Sequence, residues 1–589
     1  MTKRKRLLIV VIINMVIFLL ANILFQVKYE QVDDFIIYNL YSGLDGTYNL
    51  HGVYIHPLLC LIISLFFRII PAINWHTMFL LAFQFICFTA IGNTIIKKHE
   101  NGVSIALYAI FASIFYTTLL MLLQYTSVAA LLILTSFILL IDMQAQHENK
   151  SLKYKIFIFT LFAVGIMLRM QSLIIILPFL AIYFIMKLVE FFQKKNSKEN
   201  LLSLIKNYII YVLITIVVYV SSLIIYNSDE VYKNYMEYNN IRTTLHDMTY
   251  VDYDENKEIF EEIGWSKNDH YLFYTFNFGD ENIYSKENLE KILNYKIQKD
   301  GKYNYNINLK EIQESFVSES LDTYTYIAIL FLCTFLIGLL INKRKGNICI
   351  NILTFIATLG LHILFIVMGR SMLRVVIPEY IIGTALLIYN LEFDKKTKID
   401  DSIKNCIALF ITILTLCYTS GIKYKFGYEL DDYKSTQDII NYTSQNKQNV
   451  YLYTVPSLQF RYLAYPVYQM PPKESFSNLR VIGGWDMYTQ NYYDFKERYS
   501  LDGNLLDLLK ENVYLIDGEV FWSGRLYEDY KKNVILAIKE NYNIDVECEL
   551  VEEFDNLKIY KLYNKLSTVP GLADKLSMVL STVPGLIDK

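Results

Sequence analysis

Charge is scarce in this chain. Asp, Glu, Lys and Arg make up only 19% of its 589 residues, against 54% that are hydrophobic, whereas soluble domains carry about 25% charged residues. The formal net charge of −3 leaves no electrostatic footprint for nucleic acid, and that class is set aside. Cysteine is equally thin. Cys60, Cys87, Cys333, Cys349, Cys406 and Cys417 lie in or beside apolar runs, and Cys548 stands alone in polar sequence, which excludes a disulfide framework and a CxxC metal site. No HExxH, GxSxG or Walker A spacing occurs, so metalloprotease, serine hydrolase and ATPase readings have no support. The turn from Ile482 to Asp486 holds two glycines without the GxGxxG spacing, which argues against a nucleotide site there.

What fills the chain instead is apolar sequence. A helix needs roughly 20 apolar residues to cross the hydrocarbon core. Runs near that length fall at 7–26, 57–73, 77–96, 103–122, 125–143, 154–168, 171–189, 206–226, 323–342, 348–368, 371–391 and 404–420. The stretch 154–189 is too long for one crossing and holds a single charge, Arg169, so it reads as two helices with the arginine at the bend. The first run follows a basic start but is too long for a signal peptide and lacks a small-residue cleavage site, which makes it a retained anchor.

Basic residues gather in the short loops 3–6, 97–98, 150–155, 194–198, 343–345 and 395–398, which the positive-inside rule places in the cytoplasm. The segments 28–56, 227–322, 369–374 and everything after about 421 then lie outside. This parity works only if run 57–73, broken by Arg68 and Pro71, is re-entrant or lies along the surface. The predicted fold is therefore an α-helical polytopic membrane protein with about eleven crossings plus that element. Its parts are a transmembrane region 1–226 with a first outer loop 28–56, a helical outer insertion 227–322, transmembrane helices 323–420, an outer α/β domain 421–563 and a tail 564–589. The insertion contains an amphipathic stretch at 284–297. In the α/β domain, strand-like runs at 450–455, 479–484, 512–517, 546–551 and 557–562 alternate with helical patterns at 432–446 and 525–541, and the expected role is structural or acceptor recognition. The tail repeats 566–575 as 580–589, and two short copies cannot build a solenoid.

The first outer loop carries the acidic pair Asp33 and Asp34, with His51 and His56 further on. One carboxylate could take a proton from an acceptor hydroxyl, or the pair could help hold a divalent cation, magnesium or manganese; a solvated loop is the plain alternative. Arg169 stands between apolar flanks, and Arg370 and Arg374 have the i, i+4 spacing that puts two side chains on one helix face. Guanidinium groups at an interface suit a lipid phosphate or diphosphate, although snorkelling to ordinary headgroups explains any one of them equally well. The third candidate group is Arg242, His246 and Asp247, with Asn268 and Asp269 beside Trp265, a polar and aromatic mixture that suits sugar rings or an ordinary loop core.

With these residues in place the chain resembles bacterial membrane glycosyltransferases of the GT-C class, which take a sugar from a polyprenyl-phosphate donor. The likeness rests on Asp33 and Asp34, on the His56-Pro57-Leu58-Leu59 run, on the many helices and on the outer C-terminal domain. The segments 240–247 and 266–269 add a weaker likeness to polytopic proteins of Gram-positive bacteria thought to belong to the class. The resemblance implies an outward-facing, inverting transfer at the cell membrane. Asp33 or Asp34 would be the base, Arg169, Arg370 and Arg374 would hold donor phosphate, and His51, His56, Arg242, His246, Asp247 and Asp269 would contact substrate. The acceptor would be a cell-envelope glycan, a glycolipid or a protein, but the C-terminal domain lacks a WWDYG-type motif, which argues against transfer to protein asparagine. A lipid-linked saccharide flippase or polysaccharide exporter would scatter polar groups through its crossings and show two similar halves. In this sequence the polar residues are expected to cluster at one face and no internal repeat is seen among the helices, which favours an enzyme. A polysaccharide polymerase or ligase would use the arginines and depend less on the acidic pair, and a structural membrane protein would need neither.

Overall fold

The computed structural model describes residues 2–25, 27–30, 33–99, 102–145, 151–193, 198–301, 308–320, 325–393, 433–458, 465–518, 520–522, 525–527, 530–555 and 557–565. The expected crossing at 404–420 and the repeated tail lie outside them.

Helices dominate because the apolar runs have no other way to satisfy their backbone groups in lipid. The first part of the chain forms α1 (Lys3–Leu24), α2 (Asp33–Ser42), α3 (Pro57–Ile69), α4 (Trp75–His99), α5 (Gly102–Met121), α6 (Tyr125–Ala145), α7 (Leu152–Leu168), α8 (Leu173–Phe192) and α9 (Lys198–Asn227). After the insertion come α15 (Thr325–Ile341), α16 (Lys345–Val367) and α17 (Leu373–Tyr389). Seven described helices are long and apolar enough to cross a membrane, and the chain is a helical membrane protein. Leu213, Ile216, Val217, Val220 and Ile224 of α9 point outward, an apolar face that needs lipid rather than water. α6 runs through the centre, nearly all of it buried against α4, α7, α8 and α17. Gly165 lets α7 come close: a Cβ there would sit 2.9 Å from the Ala129 carbonyl.

The expected bend at Arg169 is present. The residue is extended (φ −159°, ψ 101°) between α7 and a short 3-10 turn that leads into α8. Arg370 and Arg374 do not share a helix, contrary to their i, i+4 spacing. Gly369, at φ +64°, follows the end of α16, and α17 begins only at Leu373, so Arg370 sits in the turn and Arg374 in the first helical turn.

The two ends of the bundle differ. At one end Arg6 hydrogen-bonds Asn93, Lys97 meets Asp142 at 3.2 Å and Arg344 meets Glu392 at 3.2 Å. At the other, Asn22 near the end of α1 bonds Tyr468, and Ile73, just before α4, bridges Gln469. α3 lies between these points and starts where the His56 amide bonds the Met167 carbonyl, at the same end. The contacts on either side of it therefore fall at the same end of the bundle.

The polar segments also collect there. The insertion contributes α10 (Glu230–Thr243), a π-turn at 244–248, α11 (Lys257–Glu262), α12 (Lys267–Tyr274), α13 (Lys286–Asp300) and α14 (Leu309–Ser318). The C-terminal region adds α18 (Tyr433–Gln445), α19 (Gln490–Tyr499) and α20 (Lys531–Tyr542) around a five-stranded sheet. Its strands are β1 (Val450–Tyr453), β2 (Leu479–Val481), β3 (Val513–Gly518), β6 (Val546–Phe554) and β7 (Leu557–Asn564), in the order β2-β1-β3-β7-β6. β1 pairs in parallel with β2 and β3, while β7 is antiparallel to both its neighbours. A separate hairpin of β4 (Val520–Trp522) and β5 (Arg525–Tyr527) replaces the first turns of the helix expected from 525, which begins only at Lys531.

Insertion and C-terminal domain share one hydrophobic core, in which Trp265, Phe273, Phe278 and Tyr284 pack with Ile482, Met487, Tyr530 and Ile538. Their backbones touch. The Gly484 amide donates to the Phe276 carbonyl at 2.9 Å, and Gly483 takes φ +106° in that contact.

Candidate functional site

The site forms where the first loop, the openings of α4 and α6, the break at Arg169, the end of α10, the start of α17 and the turn after β2 meet. Asp33 and Asp34 open α2, where the helix dipole favours acids. Adjacent helical residues point about 100° apart, and here this gives the two carboxyls different surroundings. Asp34 is fully buried, and its Oδ1 accepts from His76 Nε2 at 2.9 Å and from the Tyr125 amide at 3.1 Å. His76 Nδ1 in turn lies 2.5 Å from the Tyr41 hydroxyl. Burial pushes the Asp34 carboxyl above the ordinary aspartate range, the His76 hydrogen bond and charge pull it back, and Asp33 adds a further push. Asp33 is only partly buried, and it accepts a hydrogen bond from Trp485 Nε1 at 3.3 Å.

Arginines surround this pair. Arg374 faces Glu30 at 3.7 Å, Arg370 meets Asp247 at 3.3 Å, and Arg169 lies over Tyr54, 4.6 Å from the ring centre. Among the described residues one terminal nitrogen each of Arg169 and Arg374 is buried without a hydrogen bond, as is Glu30 Oε2. Arg242 is buried and spends its guanidinium on Asn239 and Thr243, yet its charge still reaches the site. Burial raises the Tyr54 hydroxyl above the usual tyrosine range; Arg242 opposes this, Asp33 supports it, Arg169 opposes and Asp247 supports. Tyr54 therefore lies among all four charges. Four arginines (169, 242, 370, 374) meet four acids (Glu30, Asp33, Asp34, Asp247) in a region partly shielded from water, where charge interactions are stronger than in solution.

Glu30 is strongly perturbed. Burial lifts it to about 7, against the pull of Arg374 and with help from Asp33 and Asp34. Trp485 closes the site from the C-terminal domain: its ring packs 5.1 Å from that of Tyr54, and its carbonyl accepts from the Tyr235 hydroxyl at 2.8 Å. The glycine pair ahead of it makes the placement feasible, since Gly483 and Gly484 both take positive φ, a region open chiefly to glycine.

The structure thus brings together Asp33, Asp34, Arg169, Arg242, Asp247, Arg370 and Arg374. It leaves other candidates elsewhere. His56 caps α3, its Nδ1 accepting from the Leu58 amide, and its Nε2 contacts Ser221. His51 stacks on Tyr232 with ring centres 3.9 Å apart. His246 lies among Phe273, Tyr274 and Phe276 and bonds the Phe273 carbonyl at 2.6 Å; burial lowers it to about 4, so it is a neutral core histidine. Asp269 forms a capping box with Ser266 and holds Asn541, and Asn268 is tied to the Asn533 carbonyl. Trp265 is 3% exposed with its Nε1 on the Ile283 carbonyl; with no open face, it is not a sugar platform.

A cation does not fit the acidic pair well. Asp34 Oδ1 already holds two donors, the surrounding side chains are cationic, and among the described residues no three His, Cys, Asp or Glu side chains are arranged to hold a metal ion. Glu30, Tyr54, His76 and Trp485 are the contributors that sequence reasoning missed. An acid three residues before Asp33 was a legible signal, and so was the glycine pair before Trp485.

Comparison with known proteins finds no family model that matches this chain and no curated protein related to it in sequence.

Proposed function

We propose that the protein is a membrane glycosyltransferase that moves a sugar from a polyprenyl-phosphate donor to a hydroxyl of a cell-envelope glycan, glycolipid or protein. One observation carries this reading: a partly exposed carboxylate, Asp33, shares a partly buried site with three arginines drawn from two separate breaks in the helical bundle. In this mechanism Asp33 takes the acceptor's hydroxyl proton as its oxygen attacks the anomeric carbon from the face opposite the phosphate. The bond from that carbon to the phosphate oxygen breaks, and polyprenyl phosphate leaves with the electron pair, inverting the centre. Arg169, Arg370 and Arg374 stabilise the departing charge, while Trp485 and Tyr54 restrict water.

The membrane arrangement proposed with it has eleven crossings, the N-terminus in the cytoplasm, and the insertion and C-terminal domain outside. Collection of the basic residues at one end of the bundle and the polar body at the other supports it. The test is transfer of labelled sugar from polyprenyl phosphate in proteoliposomes. Asp33→Asn should abolish it while the protein still inserts, and undiminished transfer would remove Asp33 as the base.

A further inference from the structure

Inside the helical bundle a second group of titratable side chains takes no part in the site above. His362 of α16 is fully buried. Its Nε2 lies 3.0 Å from Glu319 Oε2, and its Nδ1 lies 3.0 Å from the Tyr380 hydroxyl and 3.9 Å from Glu379 Oε1. Glu379 of α17 is also fully buried, and neither of its carboxyl oxygens has a hydrogen-bond partner among the described residues. The Phe316 ring, 5.0 Å from His362, and the Phe331 ring, 5.4 Å from Tyr380, wall the cluster with apolar surface. Among the described residues neither carboxyl is paired with a lysine or arginine.

Charge bookkeeping constrains what this cluster holds. Two carboxyls share one imidazole, which can balance one negative charge at most. A second charge, on a carboxylate without hydrogen bonds in an apolar surrounding, is strongly disfavoured. We infer that Glu379, His362 and Glu319 form a proton-binding site, with Glu379 as the buried seat of the proton. Glu319 is the access point, because its side chain is 24% exposed and the other two are closed to solvent. A proton delivered from Glu319 to His362 Nε2 lets Nδ1 release one to Glu379 Oε1. The imidazole ends as its other tautomer and no electrons are transferred. The site also touches the arginine turn, since Ser371, between Arg370 and Arg374, donates to Glu319 Oε1 at 2.7 Å. Proton occupancy is thereby tied to the segment that carries those arginines. This inference stands whether or not the protein transfers sugar.

Infrared difference spectra across a pH step, on the full chain in lipid nanodiscs, test it. With Glu30→Gln as the background, so that its own titration near neutrality is silent, a protonated carboxyl C=O band should appear, shift when glutamate is carbon-13 labelled, and vanish when Glu379→Gln is added. His362→Gln should slow or shift its titration while leaving the band. The labelling arm leaves the cluster itself unaltered, so a folding failure of the Glu379→Gln protein cannot rescue the idea. A band that ignores glutamate labelling, or that survives in Glu379→Gln, overturns the assignment. A band that moves with sodium at constant pH overturns it in favour of a metal cation.

Discussion

Asp33 and Asp34 are neighbours in sequence, and the structure predicts that they fail in opposite ways. Replacing Asp34 by Leu removes the acceptor of the His76 Nε2 and Tyr125 amide hydrogens. Each buried donor left unpaired costs about 1–3 kcal/mol, so the loss is on the order of 2–6 kcal/mol. Asp34→Asn is milder: its oxygen can still accept both hydrogen bonds, but an amide NH₂ now sits where Oδ2 has no partner, at about 1–3 kcal/mol. Asp33→Asn keeps an acceptor for Trp485 and should change stability by less than about 1 kcal/mol. Activity should follow the reverse order. Loss of a general base lowers the rate roughly 10²–10⁴-fold, about 3–5 kcal/mol of barrier. The assay pairs single-turnover transfer in proteoliposomes with thermal unfolding of the same preparations. An Asp34→Asn protein that melts like the wild type but no longer transfers, beside an active Asp33→Asn, would refute the division of labour and move the base to Asp34.

Glu30 gives a pH signature. Its folded value of about 7 lies above its ordinary 4.5, so the folded state keeps a proton that the unfolded chain has lost. Relative to Glu30→Gln, stability should fall as pH rises from about 4.5 to about 7 and level off above, by about 3 kcal/mol at most; melting curves that stay parallel across that window would exclude it. Arg169→Ala should raise the donor KM severalfold with little change in melting temperature, and an unchanged KM would take this arginine out of the donor site. Trp265→Ala should destabilise the insertion and C-terminal body by about 3–5 kcal/mol without altering donor KM, a split visible when unfolding and kinetics are measured together.

Much of the architecture was legible in the sequence because a bilayer acts on each segment locally. Apolar length separates spanning runs from loops, and clustered lysines mark one end. Parity alone made 57–73 the run expected not to cross, and the contacts beside both ends of α3 fall at the end of the bundle that meets the polar body. The break at Arg169 was legible for the same reason, since no single crossing fits 154–189. The second member of the acidic pair, the helix shared by Arg370 and Arg374, and the open face of Trp265 were not legible. Each depends on tertiary neighbours, such as His76 and Tyr125 for Asp34, or on a local break that spacing does not report. Gly369 follows the end of a helix that the i, i+4 rule had continued, and Trp265 is covered by Phe260, Phe273 and Tyr284 of the folded insertion.

By itself the sequence determined that the chain is a helical membrane protein, where its apolar runs lie and which charges are available near their ends, because these follow from additive, residue-by-residue solvation. Only the tertiary structure decided which charges meet. Packing around α6 committed Asp34 to His76 and left Asp33 beside Trp485, drew Arg374 to Glu30, and merged two distant polar regions over one core. Such partnerships depend on the angular phase of each helix, where one residue's shift turns a side chain by about 100°, and that phase is set by contacts across the whole chain.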